Sequence, residues 1–285
     1  MARETHEQNR LSWNAATQAH NSHKGDQAAF LRDGGSTLFP EELDLLGDLA
    51  GRSLLHLQCN SGQDSLSLAA LGARVTGVDI SDEAIEFAQR LASESGIEAR
   101  FERADVLDWL PQAAAAGRGF QIVFSSYGAV CWICDLDAWA TGIAATLAPG
   151  GRFVYVEFHP FTGVFHDDWS LRHDYFEHGQ PLTWDDGVDD YVASAGEALV
   201  PWGFQAGEAD FVNPHPAHEY GWGLAEIVEA LLRAGLALET LREYPYANGA
   251  TLCERMREAP GRRMYPPDDL PSLPLMFGLS ARRGP

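Results

Sequence analysis

The chain has 285 residues, of which 45% are hydrophobic, and this length suits one large domain or a domain that carries an insertion. Its 20 Lys and Arg residues stand against 41 Asp and Glu residues, and the net charge of −21 disfavours nucleic acid as a substrate or partner. No apolar run approaches the roughly 20 residues that cross a membrane, and the polar start MARETHEQNR does not resemble a signal peptide, so we expect a soluble, cytoplasmic protein.

Residues 1–34 are polar, with an aromatic residue and a histidine on one predicted helical face. Trp13, Ala16 and His20 fall at positions i, i+3 and i+7, which is the spacing of one side of a helix. A further helix is predicted over residues 39–49, because Pro stands at an early position and acids fill the first turn.

One βαβ unit follows, and the rest of the chain is organised around it. Residues 54–57 form a short apolar run suited to a buried strand, a turn follows at residues 59–63, and residues 75–78 form a second strand. Between them we expect a helix capped by Asp64 and Ser65. This order is that of the first unit of a nucleotide-binding parallel sheet.

The turn and the acid after the second strand indicate the type of ligand. Gly62 lets the backbone approach a ligand closely, and free N–H groups at a helix N-terminus attract a carboxylate or phosphate. Asp79 lies where a carboxylate accepts hydrogen bonds from both hydroxyls of a ribose, at about the 20-residue spacing expected for such an acid. The turn holds one glycine where G-x-G-x-x-G has three, which disfavours a dinucleotide. An ordinary βαβ unit with a solvated acid is the alternative.

The turn resembles that of the class I S-adenosylmethionine-dependent methyltransferases, which typically reads (D/E)-x-G-x-G-x-G. In this alignment Gln58 stands for the acid, Asn60 for a glycine and Gln63 for the last glycine. Residues 55–66, with the pattern L-x-x-x-C-x-x-G-x-D-(S/T)-L, resemble a subset that acts on small molecules, and the resemblance covers about residues 35–282. It implies an α/β, Rossmann-like class I methyltransferase fold. The expected features are a seven-stranded, mostly parallel sheet with a last antiparallel strand, helices on both faces and an aromatic-rich insertion after strand five.

The next elements fit that order. Ser81 predicts an N-cap, Gly96 a helix end and residues 99–103 a third strand. Methyltransferases that resemble this chain place an Asp after the third strand against the adenine amino group, with the neighbouring apolar residue on the ring. The resemblance implies these roles for Asp105 and Val106, and a plain loop acid is the alternative.

A fourth strand, a helix and a fifth strand continue the alternation, at residues 120–124, 136–147 and 152–158. The helix, the turn Pro149-Gly150-Gly151 and the apolar strand after it are among the more specific signals of the family. The N-P-P-(Y/F) sequence of methyltransferases that act on bases or glutamine is absent after strand four, and this absence disfavours bases and glutamine as substrates.

From residue 159 to 222 the alternation stops. This segment holds six histidines and many aromatic residues, and the run at residues 173–194 predicts short strands joined by turns. A helix at residues 224–234, a strand at 236–244, a long loop and a final strand at 275–281 complete the predicted sheet.

The chain is therefore predicted to have four parts. These are N-terminal lid helices at 1–34, a cofactor-binding core at 35–158, a substrate-cover insertion at 159–222 and the C-terminal part of the core at 223–285. An insertion after a parallel strand lies over the edge of the sheet where ligands bind, which is where a substrate cover belongs.

The cofactor that the resemblance implies is S-adenosyl-L-methionine. Its predicted binding residues lie at the turn and at strand ends: Gln58, Asn60, Gly62, Asp64, Ser65, Asp79, Ile80, Asp105, Val106, Ser125 and Tyr127. The predicted substrate-binding residues are aromatic residues and histidines of the first helix and of the later segments: Trp13, His20, Trp132, His215, Tyr220 and Trp222. Packing of the tryptophans inside the insertion is the alternative.

A methyl group on a sulfonium is already activated, so the protein mainly excludes water and aligns the reactants. Where the acceptor must lose a proton, a histidine suits the role of base, and His159 and His218 are the candidates. A structural role for His159 beside Pro160 is the alternative. The Cys131-Trp-Ile-Cys134 spacing lacks a second Cys pair, so we expect no metal site.

The sequence thus predicts methyl transfer from S-adenosylmethionine to an oxygen, nitrogen or carbon of a small molecule, expected to be aromatic or heterocyclic. A non-catalytic cofactor-binding sensor or assembly protein is one alternative. A dinucleotide oxidoreductase is the other and is less favoured.

Overall fold

A seven-stranded sheet organises residues 2–285, the part of the chain that the computed structural model describes. The helices are α1 (Ala2–Ser22), α2 (Gln27–Arg32), α3 (Pro40–Leu46), α4 (Gln63–Ala70), α5 (Asp82–Ser95), α6 (Val106–Ala115), α7 (Leu136–Thr146), α8 (Tyr191–Ala195) and α9 (Leu224–Arg233). The strands are β1 (Ser53–Leu57), β2 (Arg74–Asp79), β3 (Arg100–Arg103), β4 (Phe120–Ser126), β5 (Leu147–Phe158), β6 (Pro181–Trp184), β7 (Ala217–Tyr220), β8 (Leu236–Tyr244), β9 (Ala247–Asn248), β10 (Arg257–Ala259), β11 (Arg263–Tyr265) and β12 (Met276–Arg283). Short 3-10 helices lie at Val130–Trp132, Pro160–Val164 and Gly196–Ala198.

The strand order of the main sheet is β3-β2-β1-β4-β5-β12-β8. Strands β1 to β5 pair in parallel, and β12 lies antiparallel between β5 and β8. The predicted mostly parallel sheet with a last antiparallel strand is confirmed. Because the order reverses between β1 and β4, a crevice opens at the carboxyl ends of these two strands, which is where such sheets bind ligands.

Both faces of the sheet are covered by helices, and this explains the continuous apolar strands. On β1, Leu54 packs in the core beneath α3 and α4, whereas Leu55 and Leu57 pack in the core beneath α6, α7 and α9. In the second core Trp139 is fully buried, and its ring lies 5.4 Å from that of Phe153. The alternation of side chains along each strand therefore builds two separate cores.

Two helix boundaries test the predicted capping signals. The Ser81 hydroxyl accepts a hydrogen bond from the Ala84 N–H at 3.1 Å, and Gly96 ends α5 in a left-handed conformation, as predicted. Helix α3 ends at Leu46 and not at Leu49, because Gly47 takes a positive φ of 60° and turns the chain away.

Helix α4 begins differently from the prediction. Gly62 is the N-cap residue, with φ 81°, and Asp64 and Ser65 lie inside the first turn. The prediction that Asp64 and Ser65 cap this helix is therefore wrong. A left-handed glycine turns the chain from β1 directly into the helix, so the helix starts before either side chain can cap it.

Two segments outside the main sheet differ in detail from the prediction. The run at residues 173–194 contains one strand, β6, and one helix, α8, where short strands were predicted; β6 pairs antiparallel with β7. The segment predicted as a long loop before the last strand holds a three-stranded antiparallel sheet, β10-β11-β9. Such very short strands carry too little period-two pattern to be recognised.

Helix α1 packs against α5, β7 and α8, at the carboxyl-end edge of the sheet. The Asn9 side chain donates to the His218 carbonyl (2.9 Å) and accepts from the His218 N–H (2.7 Å), so it satisfies the backbone of β7. The Ser12 hydroxyl accepts from the N–H of Val188 at 2.9 Å. In residues 2–285 no helix is long and apolar enough to cross a membrane.

Candidate active site

The turn after β1 is left-handed at alternate positions. Gln58, Asn60 and Gly62 have φ values of 51°, 48° and 81°. This is the spacing of three glycines in the G-x-G-x-G pattern, so the structure places these residues at the glycine positions and His56 at the position of the acid. The alignment that put Gln58 at the acid and Gln63 at the last glycine is corrected accordingly.

Left-handed conformations cost non-glycine residues free energy, and polar contacts compensate for it here. The Gln58 amide donates to the Ala129 carbonyl at 2.6 Å, and the Asn60 side chain accepts from the Ser61 N–H at 2.6 Å. The turn is therefore fastened to the segment that follows β4.

His56 replaces a charged acid by a neutral ring. It is buried, and Nδ1 lies 2.8 Å from the Ser65 hydroxyl of α4. Burial lowers the pKa of His56 to about 4. At neutral pH this position therefore contributes no charge to the site.

Asp79 lies at the end of β2 and faces the same turn. Its Oδ2 accepts from the Asn60 N–H at 2.8 Å, and its Oδ1 accepts from the Ser81 N–H at 2.9 Å. Burial raises the pKa of Asp79, although the backbone N–H groups of Ser81, Asn60 and Ile80 oppose this shift. A carboxylate oxygen has two lone pairs, so each oxygen of Asp79 can accept a further hydrogen bond from a ligand hydroxyl.

Two buried polar atoms lie at the carboxyl ends of β1 and β4, next to the crevice. Neither Ser125 Oγ at the end of β4 nor Gln58 Oε1 has a hydrogen-bond partner among residues 2–285, and both atoms are buried. Buried polar atoms in native proteins are paired, so these two atoms fit a polar ligand in the crevice.

An aromatic cleft lies beside Asp79. The Trp13 ring lies 5.4 Å from Trp132 and 6.1 Å from His20, and His20 lies 4.1 Å from Tyr191. Tyr191 has Asp79 among its charged neighbours, and 37% of the residue's surface is exposed. The structure brings Trp13, His20 and Trp132 together as a group. It adds Tyr191, which sequence reasoning missed because a single aromatic residue in an irregular segment carries no signal.

His20 is part of that cleft wall and is neutral. Its Nε2 lies 2.8 Å from the Asp189 carbonyl, and burial lowers the pKa of His20 to about 4. A ring in this state contributes shape and hydrogen bonding, not charge.

Asp105 and Val106 follow β3 and begin α6. Asp105 caps this helix by accepting from the Leu107 N–H at 2.9 Å, and its Oδ2 accepts from His6 Nδ1 of α1 at 2.5 Å. Val106 is 5% exposed and packs in the core beneath α6, α7 and α9. Asp105 thus lies at the rim of the crevice beneath α1, whereas the side chain of Val106 points into the core.

Both predicted bases have engaged ring nitrogens. His159 Nδ1 accepts from the Phe161 N–H at 3.1 Å, and Nε2 lies 3.0 Å from Glu243. His218 contacts the Thr183 hydroxyl at 3.0 Å through Nδ1 and Gln8 through Nε2. Catalysis by either histidine stays a prediction, and in this conformation each ring supports the local structure.

Several other predicted residues have hydrogen-bond partners within the chain. Tyr220 pairs with Thr5 at 2.8 Å, Trp222 donates to the Ile133 carbonyl at 2.8 Å, and the backbone N–H of His215 donates to Asn213 at 3.1 Å. Inside α4, Ser65 pairs with His56, and Asp64 accepts from the Thr37 hydroxyl.

Two carboxylates near the end of β4 were not predicted. Glu157 of β5 accepts from the Gly128 and Ala129 N–H groups and so fixes the turn after β4; a lone acid in an apolar strand was the available signal. Glu219 of β7 accepts from the Trp184 indole at 2.8 Å and lies next to the Cys131 thiol. Burial raises the pKa of Glu219, while the Trp184 hydrogen bond opposes the shift.

Comparison with known proteins agrees with this architecture. Residues 54–151 match the family model described as a methyltransferase domain. The chain is 33% identical over 135 residues to a ubiquinone biosynthesis O-methyltransferase from Methylobacterium sp. (strain 4-46), covering 44% of this chain and 48% of that protein. It is 33% identical over 120 residues to a demethylmenaquinone methyltransferase from Thermus thermophilus, covering 41% and 52%. The chain spans about half the length of these curated relatives.

A solved structure shows the same fold. The crystal structure of an S-adenosylmethionine-dependent methyltransferase from Mesorhizobium loti superposes with a TM-score of 0.56 at 18% identity, covering 88% of this chain and 99% of that one. The class I methyltransferase fold therefore extends well beyond the residues that match the family model.

Proposed function

We propose that this chain, which carries a methyltransferase domain of the class I fold, transfers a methyl group from S-adenosylmethionine to a small-molecule acceptor. The observation that carries the proposal is the arrangement at the ends of β1, β2 and β4. A left-handed turn, the Asp79 carboxylate and two buried polar atoms without partners in residues 2–285 lie at these strand ends, where sheets of this order bind ligands.

These residues fit the proposed cofactor. Asp79 would accept hydrogen bonds from ribose hydroxyls, and the turn at Gln58 and Asn60 would lie against the ligand. Ser125 would gain the hydrogen bond that it lacks within residues 2–285. Asp105, at the rim, would bind the adenine amino group. S-adenosylmethionine supplies a methyl group on a sulfonium, which needs no further activation.

The aromatic cleft supports an aromatic or heterocyclic acceptor. Trp13, Trp132 and Tyr191 offer ring faces and edges against which a flat molecule packs and excludes water. Residues 1–34 and 159–222, which supply most of this wall, act in the proposal as lid and substrate cover. The net charge of −21 favours a small molecule over nucleic acid.

For an acceptor that loses a proton, Glu219 is the group that we place in the role of base. It lies beside Cys131, in the segment that follows β4, and burial raises the pKa of its carboxyl, which makes the carboxylate a stronger base. His159 and His218 remain the alternatives predicted from sequence.

Ligand binding tests the proposal directly. We expect S-adenosylhomocysteine to raise the melting temperature, and NAD and NADP to leave it unchanged. A shift with NAD alone would support an oxidoreductase. An acceptor screen that measures S-adenosylhomocysteine formation then separates an enzyme from a non-catalytic cofactor-binding protein. The non-catalytic protein would bind S-adenosylmethionine but form no S-adenosylhomocysteine.

A further inference from the structure

A second group of buried polar side chains lies between α3, the segment after β4 and β9. It consists of Glu41, Glu42, Tyr127 and Asn248, and we name it the α3–β9 pocket. The Asn248 amide donates to the Tyr127 hydroxyl at 2.9 Å and to Glu41 Oε2 at 3.1 Å. Three distant segments are therefore joined around one polar centre.

Two acceptor atoms of this pocket are left without a donor. Glu42 Oε1 and Asn248 Oδ1 are both buried and have no hydrogen-bond partner in the part of the chain that the structure describes. Glu42 is 0% exposed and Asn248 is 2% exposed. Buried acceptors in native proteins are paired, so a ligand group that donates more than one hydrogen bond fits this place.

The charge balance favours a cationic donor. Glu41 is ion-paired with Arg263 and also accepts from the Tyr246 hydroxyl, whereas Glu42 has no ion pair within residues 2–285. Burial raises the pKa of Glu42 well above its usual range, and the nearby Asp64 carboxylate adds to this effect, while Tyr127, the Phe39 N–H and Arg262 oppose it. A buried carboxylate needs a partner of opposite charge, and an ammonium group would provide that charge for Glu42.

Arg262 does not provide that counter-charge by direct contact. Its guanidinium donates to the Thr37 carbonyl at 3.0 Å and lies 4.1 Å from the centre of the Phe39 ring. The Arg262 guanidinium is thus bound to the Thr37 carbonyl and to the face of the Phe39 ring. Glu42 Oε1 is left without a partner among residues 2–285.

The pocket adjoins the proposed reaction site. Tyr127 directly follows β4, near Ser125, and its ring lies 5.4 Å from Phe158 and 6.1 Å from Phe39. A molecule held at Glu42 and Asn248 would therefore lie against an aromatic wall at the crevice edge of the sheet.

We infer that Glu42 and Asn248 bind a protonated amine of the methyl acceptor, so that the acceptor is an aromatic or heterocyclic amine. This inference rests on the proposed function. An ammonium nitrogen has no lone pair to attack a methyl group, so the methyl is transferred to a different atom of the same molecule. The amine serves as the recognition group.

The test uses benzylamine and benzyl alcohol as probes on the full chain saturated with S-adenosylhomocysteine. Calorimetry should detect benzylamine binding and much weaker binding of benzyl alcohol. Glu42→Gln should weaken benzylamine binding by about tenfold or more, because a charged hydrogen-bond partner is lost. The matched control Glu86→Gln, at an exposed position on α5, should leave the affinity within about twofold.

Other outcomes overturn the inference. Equal binding of both probes, or full affinity in Glu42→Gln, would exclude an ammonium at this carboxylate. Competition between benzylamine and S-adenosylhomocysteine would show that Glu42 and Asn248 belong to the cofactor site. Absence of S-adenosylhomocysteine binding would instead contradict the proposed function, so the two failures are distinct.

A measurement on the unmodified protein covers the case in which Glu42→Gln does not fold. Burial favours the protonated form of Glu42, and an ammonium partner favours the ionised form. Benzylamine affinity should therefore rise as the pH rises through the raised pKa of Glu42, whereas benzyl alcohol affinity should not. A flat benzylamine profile would contradict the assignment.

Discussion

The ends of β2 and β5 each carry a buried carboxylate, and the two are satisfied in different ways. Glu157 accepts from the N–H groups of Gly128, Ala129 and Phe158 and from the Tyr155 hydroxyl at 2.7 Å. Asp79 accepts from the Asn60 N–H on Oδ2 and from the Ser81 N–H on Oδ1, and no side-chain donor in residues 2–285 pairs with it.

This difference separates scaffold from site. A carboxylate whose acceptor capacity is used by its own chain fixes a turn and has little left for a ligand. A carboxylate that keeps part of its capacity next to an open cleft can bind one. Burial raises the pKa of both groups, so a shifted pKa alone does not tell them apart.

The largest effect is expected from Glu157→Leu. The change leaves several buried N–H groups unpaired, and each such group costs about 1 to 3 kcal/mol, so the free energy of unfolding should fall by about 3 kcal/mol or more. Denaturant unfolding measures it. Glu157→Gln keeps one acceptor oxygen, so its free energy of unfolding should fall clearly less. An unchanged denaturation midpoint for Glu157→Leu would contradict the scaffold role.

Glu219→Gln should chiefly affect turnover. If Glu219 takes the acceptor proton, its loss should lower kcat by about 10² to 10⁴-fold while S-adenosylhomocysteine affinity stays unchanged. His159→Gln and His218→Gln serve as comparisons and should lower kcat less. Kinetics of the three variants with an identified acceptor decide among them, and full activity of Glu219→Gln would remove it from the mechanism.

The main sheet could be predicted because its signals are local and repeated. The run at β1, the Ser81 cap and the Gly96 end each specify a boundary by their own chemistry. The small sheet of β9 to β11 escaped prediction because strands as short as Ala247–Asn248 leave no periodic pattern. Their positions depend on contacts with distant segments.

The candidate site was only partly predictable. The position of Asp79 follows from strand order, so its place at the crevice was expected. The partners of Asn248, which are Glu41 and Tyr127, lie far from it in sequence. Only the folded chain shows that an oxygen of Glu42 and one of Asn248 are left without a donor in residues 2–285. The contacts of His159 and His218 depend in the same way on distant residues, Glu243 and Gln8.

Asp79→Asn should produce a smaller and more selective change than Glu157→Leu. Loss of the charged acceptor should weaken S-adenosylhomocysteine binding by about 1.5 to 3 kcal/mol, or roughly tenfold or more. The amide keeps one oxygen for the backbone N–H groups, so unfolding should change less than in Glu157→Leu. Normal calorimetric affinity in Asp79→Asn would refute the ribose assignment.

The carboxylate at the end of β3, Asp105, is intermediate between Glu157 and Asp79 in how its hydrogen bonds are satisfied. Changing its contact with His6 should give the smallest effect of the variants considered. Asp105 is satisfied partly by Leu107 and partly by His6 of α1, whose ring also faces Cys134. Burial opposes a charge on His6, but the hydrogen bonds and charges of Asp105 and Cys134 together outweigh it and raise the pKa of His6 to about 10. Burial likewise opposes ionisation of Asp105, yet His6 holds the pKa of that carboxyl below its usual range, so Asp105 stays charged at neutral pH.

The sign of the pH dependence follows from the raised pKa of His6. Its contribution to stability is complete below about pH 6.5, the unfolded value, and is lost as pH rises toward about 10. The melting temperature of His6→Gln should therefore lie furthest below that of the unmodified chain near about pH 6, and the two should converge near about pH 10. A constant difference for His6→Gln would mean that the ring acts through packing alone, and α1 would then be held over Asp105 without a titrating contact.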